Sequence, residues 1–314
     1  MSSCLICSLE NPEPKHFWTI HKIKESDYYT KYLPRFDLFT NEPIPFKSRE
    51  SYLLTDFCNK NNLKYWLKSQ TLEAQKEYLK NILIKRKDLK NLTYIPTQVE
   101  LRSWENSVGI VTYNKLFKNY YKLCLELGYF SRGFDNITEK TILKHNRSLN
   151  KNPILCDSRE QNLLSWGNKE IKITTLPVGD YSIEKDNNNI YIERKSLNDL
   201  TSTFGPKNYN RFKNELIKTQ DLGAYIILLV ENDFNTVAGF EYSPHYSKHT
   251  QMTAVYLFHQ IRTLLQEFGC WQIAFCKSRT DMVEKIKFIF EMGEKAKNLD
   301  IQLGIDYRLF SHDI

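Results

Sequence analysis

The chain has 314 residues, a hydrophobic fraction of 41% and a formal net charge of +7. That length predicts two domains that each bury a core, and the absence of any apolar run long enough to span a bilayer excludes a helical membrane protein. The first ten residues, Met-Ser-Ser-Cys-Leu-Ile-Cys-Ser-Leu-Glu, lack the charged start and apolar stretch of a secretion signal, so an intracellular setting, cytoplasmic or nuclear, is expected for the seven cysteines.

Lys and Arg outnumber Asp and Glu by 25 to 16 over residues 1–152, a surplus of nine, whereas residues 153–314 carry 19 against 21, a deficit of two. A basic half beside a slightly acidic one fits a polyanion grip joined to a catalytic module, although solvated surfaces carry such surpluses too.

Residues 1–60 read as a small aromatic-rich module. Cys4 and Cys7 form the one Cys-x-x-Cys pair, with His16, His21 and Cys58 following, so Zn2+ is a candidate cofactor here; the gap from Cys7 to His16 is short for the usual finger, and two ordinary thiols are the alternative. From Phe17 to Trp66, rings such as Tyr28, Tyr32, Phe36 and Phe39 interleave with Lys24, Lys31 and Arg35, which suits base stacking or a small irregular core.

Residues 61–135 are predicted to be helical. Tyr52–Trp66 leads in, and Leu72–Lys87 carries an apolar stripe of Leu72, Tyr78, Leu79, Ile82 and Leu83. Pro96-Thr97-Gln98 opens a helix to Trp104, Gly109 marks a turn, and a second helix starts at Thr112-Tyr113 and leads through Phe117, Tyr120, Leu123 and Leu127 to Gly128. This order resembles the helical repeat associated with homing endonucleases, which implies a helix-turn-helix-like DNA grip with Lys115, Lys118, Lys122 and Arg132 on phosphates; the alternative is a compact hairpin with lysines facing water. The polar segment 136–152 reads as a linker.

Residues 153–298 alternate like an α/β domain. Strands are predicted at Ile154–Cys156, Ile171–Leu176, Tyr225–Val230 and Trp271–Cys276. Helices are predicted at Glu160–Trp166, from Leu197 towards Gln220, at Gln251–Phe268 and at Asp281–Lys297; residues 299–314 form a tail. Between them lies a hairpin in which Tyr181 and Ile183, then Ile190 and Ile192, alternate with polar residues around the turn-forming Asp186–Asn189. A two-residue turn at Asp186-Asn187 puts Asp180 directly opposite Glu193, and Lys195 shares their face at period two; a turn at Asn187-Asn188 shifts the pairing by two residues. Two carboxylates and an ammonium on one accessible face suit a hard divalent cation and a positioned water, or else form a surface ion pair.

Gly179-Asp180, then Glu193-Arg194-Lys195 and Asp199, resembles the signature of the XPF family of structure-selective DNA endonucleases. Asp157-Ser158-Arg159-Glu160 upstream resembles its first motif, and Asn210-Arg211-Phe212 falls where a supporting arginine is expected; the likeness covers roughly residues 153–297. It implies a restriction-endonuclease-like mixed sheet flanked by helices, preceded by a mainly α DNA-binding region. It also implies Mg2+ or Mn2+ held by Asp157, Asp180 and Glu193, and Lys195 positioning the attacking water. Arg159, Arg194 and Arg211 are then placed near phosphates and Asp199 closes the motif, products carrying 5′ phosphate and 3′ hydroxyl. Asp157 and Asp199 equally suit helix capping, and Arg194, pointing away from Glu193 in a regular strand, suits support from behind.

The family usually continues into a tandem helix-hairpin-helix module, whereas 17 residues follow Lys297 here, so the DNA grip is expected in residues 1–152. The expected function is therefore a metal-dependent DNA endonuclease, structure- or sequence-selective, in repair, recombination or mobile-element DNA processing. Its partner is duplex or branched DNA, with a homodimer through the nuclease domain among the arrangements the resemblance implies. A catalytically silent DNA-binding subunit and an RNA-directed nuclease are the alternatives.

Overall fold

The computed structural model describes residues 14–22, 67, 70–90, 92–104, 107–130, 152–184, 188–239 and 252–308. Cys4, Cys7, Cys58, Arg132, most of the expected aromatic module and nearly all of the 136–152 linker lie outside these residues. The chain forms two compact units, Met1–Lys85 and Arg86–Ile314.

Helix α1 spans Pro14–His21, and α2 spans Leu72–Lys90, beginning in the first unit and ending in the second. Its apolar stripe is buried at Leu79, Ile82 and Leu83, while Leu72, in the first turn, is exposed. No described helix is long and apolar enough to cross a membrane.

In the second unit α3 (Gln98–Ser103) is capped by Thr97, whose hydroxyl accepts the Glu100 N–H. The long second helix expected from Thr112 is instead two, α4 (Ile110–Phe117) and α5 (Tyr120–Glu126). The break has a local cause. Lys118 adopts φ +66°, Asn119 Oδ1 accepts the Lys122 N–H at 2.9 Å, and Asn114 Oδ1 takes the Tyr120 N–H at 2.8 Å. These asparagines claim amide protons that a continuous helix would have used. Tyr113 and Tyr120 remain fully buried and meet edge to face.

The sheet has six strands: β1 (Ile154–Asp157), β2 (Ile171–Thr174), β3 (Tyr181–Ile183), β4 (Ile190–Lys195), β5 (Tyr225–Val230) and β6 (Trp271–Phe275). Their order is β2-β1-β3-β4-β5-β6, antiparallel at β1–β3 and β3–β4 and parallel elsewhere. Between and after the later strands come α6 (Leu197–Thr203), α7 (Tyr209–Asp221), α8 (Phe234–Gly239), α9 (Ala254–Glu267), α10 (Arg279–Met292), a 3-10 turn at Gly293–Asn298, and α11 (Ile301–Asp306). One face packs Cys156, Tyr181, Ile192, Ile227 and Leu229 against α10 and α11; the other packs Val178, Ile226, Leu228 and Val230 against α6, α7, α8 and α9. This is the mixed α/β architecture expected from sequence. The apolar run Tyr225–Val230 is buried at every position because helices cover both faces of its strand.

Four local expectations differ. No helix forms at Glu160–Trp166, because Asp157 and Glu160 bend the backbone by accepting the N–H groups of Arg159 and Asn162 with their own carboxylates. The helix from Leu197 is interrupted at residues 204–208, where Gly205-Pro206 ends α6. The last amphipathic helix starts two residues earlier, at Arg279 behind the Ser278 cap, and gives way to the 3-10 turn at Gly293. Residues 301–306, expected in a tail, form α11 under an Asp300 cap.

Residues 94–103 are fastened to this module. Tyr94 OH donates to Gln266 O at 2.7 Å, Gln98 N–H to Asp300 Oδ2 at 2.6 Å, and Arg262 Nη1 to Ser103 O at 2.8 Å, while Arg102 pairs with Asp306. Beneath them Arg86 and Glu100 form a fully buried two-bond ion pair.

Candidate active site

The hairpin register decides the site. Tyr181 pairs with Ile192, and Asp180 N–H donates to Ile192 O at 2.8 Å, which sets Asp180 beside Glu193; residues 185–187, where the turn is expected, lie outside the described residues. Gly179 permits this. Its φ is +69°, and a Cβ there would come 3.0 Å from Ile192 O, so a larger residue would push β3 off β4. Lys195 lies two residues beyond Glu193 on the same face and its ammonium donates to Glu193 Oε1. Asp180 Oδ2 accepts the Arg194 N–H at 2.8 Å, which fixes the aspartate against β4.

Burial pushes the Asp180 pKa up to about 7, with Glu193 adding repulsion. Lys195 is held above its usual range: burial opposes its charge, but Glu193 and then Asp180 outweigh that. Glu215 on α7 joins the group, its pKa raised by burial and by Glu193, and Gly179 N–H bonds to it. Beside them opens a cavity of about 170 Å³ lined by Lys195, Asp199, Ser202, Asn208, Arg211 and Glu215.

Asp157 is adjacent, since its N–H donates to Asp180 O at 2.8 Å, but its carboxylate is engaged elsewhere. Oδ1 accepts Arg159 N–H and Nε, and Oδ2 accepts Arg159 Nη2 and Leu176 N–H. Arg159 first, then these backbone donors, hold its pKa down at about 2. With its acceptor positions filled, Asp157 has none to offer a cation in this arrangement. Arg159 is likewise committed to Asp157 and Leu176 O, though its outer edge is exposed.

Arg194 faces the other side of the sheet. Its guanidinium reaches Glu160 Oε1 at 3.0 Å and Glu231 Oε1 at 2.9 Å, and Glu231 is shared with Arg279, whose Nη2 also donates to Leu163 O. This network ties the loop after β1 to the ends of β4 and β5, so Arg194 supports the site from behind. Asp199 does not begin α6: Ser196 is the cap, accepting the Asp199 N–H while its hydroxyl donates to Asp199 Oδ2 at 2.6 Å. Lys115, Lys118 and Lys122 are all exposed on or beside α4 and α5.

Sequence reasoning missed Glu160, Glu215, Glu231 and Arg279 as site residues. Two of them carried a signal: Glu215 stands four residues after Arg211, one helix face, and Glu231 is the first polar residue after the apolar β5 run.

The raised Asp180 pKa has a testable consequence. Between its ordinary value of 3.8 and about 7 the folded chain holds a proton that the unfolded chain has released. The stability from this group is therefore full below about 4 and lost as pH rises through 7. A cation that needs the carboxylate ionised should stabilise more at pH 8 than at pH 6. Thermal unfolding with and without Mg2+ at both pH values checks this, and Asp180→Asn should remove the difference.

Residues 156–289 match the family model of the ERCC4 domain. No curated protein is found to match the chain. Among solved structures, XPF from Aeropyrum pernix is similar at 14% identity and a TM-score of 0.33, over 46% of this chain and 68% of that one. The α/β module thus bears the ERCC4 domain signature over residues 156–289, the family towards which its Gly-Asp and Glu-Arg-Lys motifs point.

Proposed function

We propose that the chain is a divalent-metal-dependent DNA endonuclease, and that Asp180 and Glu193 hold the cation. The observation that carries this reading is the proximity of these two carboxylates, Glu193 buried and Asp180 partly buried, with Lys195 bonded to Glu193 and lining the adjacent cavity. The donor set fits the ion. The two carboxylates share one ammonium, Lys195, and burial first, then Glu193, raises the Asp180 pKa. Carboxylate oxygens are the donors that Mg2+ or Mn2+ takes while keeping several waters. Bound there, such an ion supplies Lewis acidity to a phosphodiester.

The chain's own groups do the rest. Arg194 N–H keeps Asp180 in place, and Gly179 lets the two carboxylates approach. Lys195, protonated at neutral pH, orients a water by donating to it and offsets negative charge as it develops. Arg211, in the cavity wall, donates to a phosphate beside the one attacked, while the Asn208 amide, bonded to Ser202, shapes that wall. The intact Asp180, Glu193 and Lys195 favour an active enzyme over a silent scaffold.

Incubation with end-labelled duplex, flap, fork and single-stranded DNA, and with RNA, tests the reading. Cleavage of at least one DNA in Mg2+ and none in chelator is expected; absence of cleavage on every DNA in Mg2+ and in Mn2+ contradicts it. The grip is expected on α4 and α5. Because residues 94–103 pack on α9 and α11, cutting the chain near residue 150 would damage the nuclease module itself, and charge reversal is the cleaner probe. Lys115→Glu with Lys118→Glu should weaken DNA binding and flatten the log affinity against log salt slope by about one to two units, with metal dependence unchanged. An unaltered slope would remove these lysines from the interface.

A further inference from the structure

Glu215 is the carboxylate at the site that the proposed cation does not use. It lies on α7, one helix turn after Arg211, and lines the cavity together with Lys195, both residues partly buried. Helix α7 also holds the turn that leads into Asp180. Lys218 Nζ donates to Pro177 O at 2.6 Å, Val178 shares an apolar cluster with Phe212 and Leu216, and the Glu215 carboxylate accepts the Gly179 N–H. On its other side Gly179 lies against β4, where an added Cβ would come 3.0 Å from Ile192 O. The Glu215 carboxylate is therefore anchored where α7, the turn at residues 177–179 and the end of β4 meet, beside the Lys195 ammonium.

The charges around Lys195 change when a cation arrives. Without one, Lys195 donates to Glu193, and the charges of Glu193, Asp180 and Glu215 all favour its protonated form. With Asp180 and Glu193 engaged by a divalent ion, Lys195 loses the oxygen it now uses and meets a repelling charge. Of the three carboxylates, Glu215 is the one left to offset that repulsion. We propose, resting on the assignment of the cation to Asp180 and Glu193, that Glu215 is a positioning residue for Lys195: with the ion bound, its carboxylate holds the ammonium at the cavity wall, where Lys195 orients the attacking water. The Gly179 bond serves this role, since it fixes the carboxylate that Lys195 must meet.

Single-turnover cleavage by the full chain, on a DNA that the parent cuts, tests this with a double-mutant cycle. Glu215→Gln keeps an acceptor for the Gly179 N–H and removes the charge. At saturating Mg2+ it should slow cleavage by about tenfold or more. In a Lys195→Ala background it should change the rate by less than about twofold, because no ammonium is left to hold. Mn2+ affinity, followed by electron paramagnetic resonance, should stay within about threefold of the parent, as expected of a residue that is not a ligand. Thermal unfolding supplies a readout that survives complete loss of cleavage by Lys195→Ala. Mg2+ should raise the parent's midpoint more than that of Glu215→Gln, by about 2 °C or more, and this difference should vanish in the Lys195→Ala background. Parental cleavage by Glu215→Gln, an equal loss with and without Lys195, or an Mn2+ site weakened tenfold would each overturn the role. Absence of Mn2+ binding at Asp180 and Glu193 would overturn the cation assignment itself, and this role with it.

Discussion

Glu193→Gln should lower single-turnover DNA cleavage by about a hundredfold or more while leaving DNA affinity intact. The change keeps the side-chain shape but removes the charge that both a hard cation and Lys195 require. Glu193 is 6% exposed, so losing a buried carboxylate relieves a desolvation cost, and Asp180 and Glu215 remain near Lys195. The variant should fold with some loss of stability, since Lys195 loses its bonded partner and keeps only the neighbouring Asp180 and Glu215. Binding, followed without Mg2+, should be unchanged or slightly tighter because a negative charge facing phosphate is gone. Cleavage at the parental rate by the purified variant would displace Glu193 from the centre of the mechanism.

Arg194→Ala should produce the largest loss of stability, about 3–5 kcal/mol, because it leaves Glu160 and Glu231 buried with their shared cation removed. Arg279, partly exposed, can still pair with Glu231 but is already used by Asn162 O and Leu163 O. The control Arg279→Ala removes the exposed partner of Glu231 and leaves Arg194 paired with it, so it should cost under about 1 kcal/mol. Since the Arg194 contact to Asp180 is through its backbone N–H, the alanine variant retains it. Well below its unfolding temperature the variant should thus cleave faster than Glu193→Gln, the mark of a residue acting by support. Urea unfolding within 1 kcal/mol of the parent would mean that the ion network is not what joins the loop after β1 to the sheet.

The parts legible in sequence were those governed by local periodicity. Alternation in Tyr181–Ile183 and Ile190–Ile192 marks both strands and puts Asp180, Glu193 and Lys195 on one face, while leaving two turn positions open; the structure pairs Tyr181 with Ile192. The run Tyr225–Val230 announced a strand covered on both faces. What escaped reading depends on partners distant in the chain. The family resemblance makes Asp157 a metal ligand, but Arg159, two residues on, folds back and with Leu176 N–H fills its acceptor positions. Glu160 looked like part of a helix start until Arg194, 34 residues later, claimed it. The break after Phe117 turned on two asparagines, residues whose side chains compete with the backbone and whose choice composition does not reveal.

On the proposed function, the hairpin brings Asp180 and Glu193 together as a divalent-cation site. Electron paramagnetic resonance of Mn2+ titrated into the full chain, in the parent and in Asp180→Asn with Glu193→Gln, measures it without reference to turnover. The expected result is saturable Mn2+ binding in the parent that weakens at least tenfold in the double variant and is displaced by Mg2+. Equal Mn2+ binding by parent and variant would contradict the site.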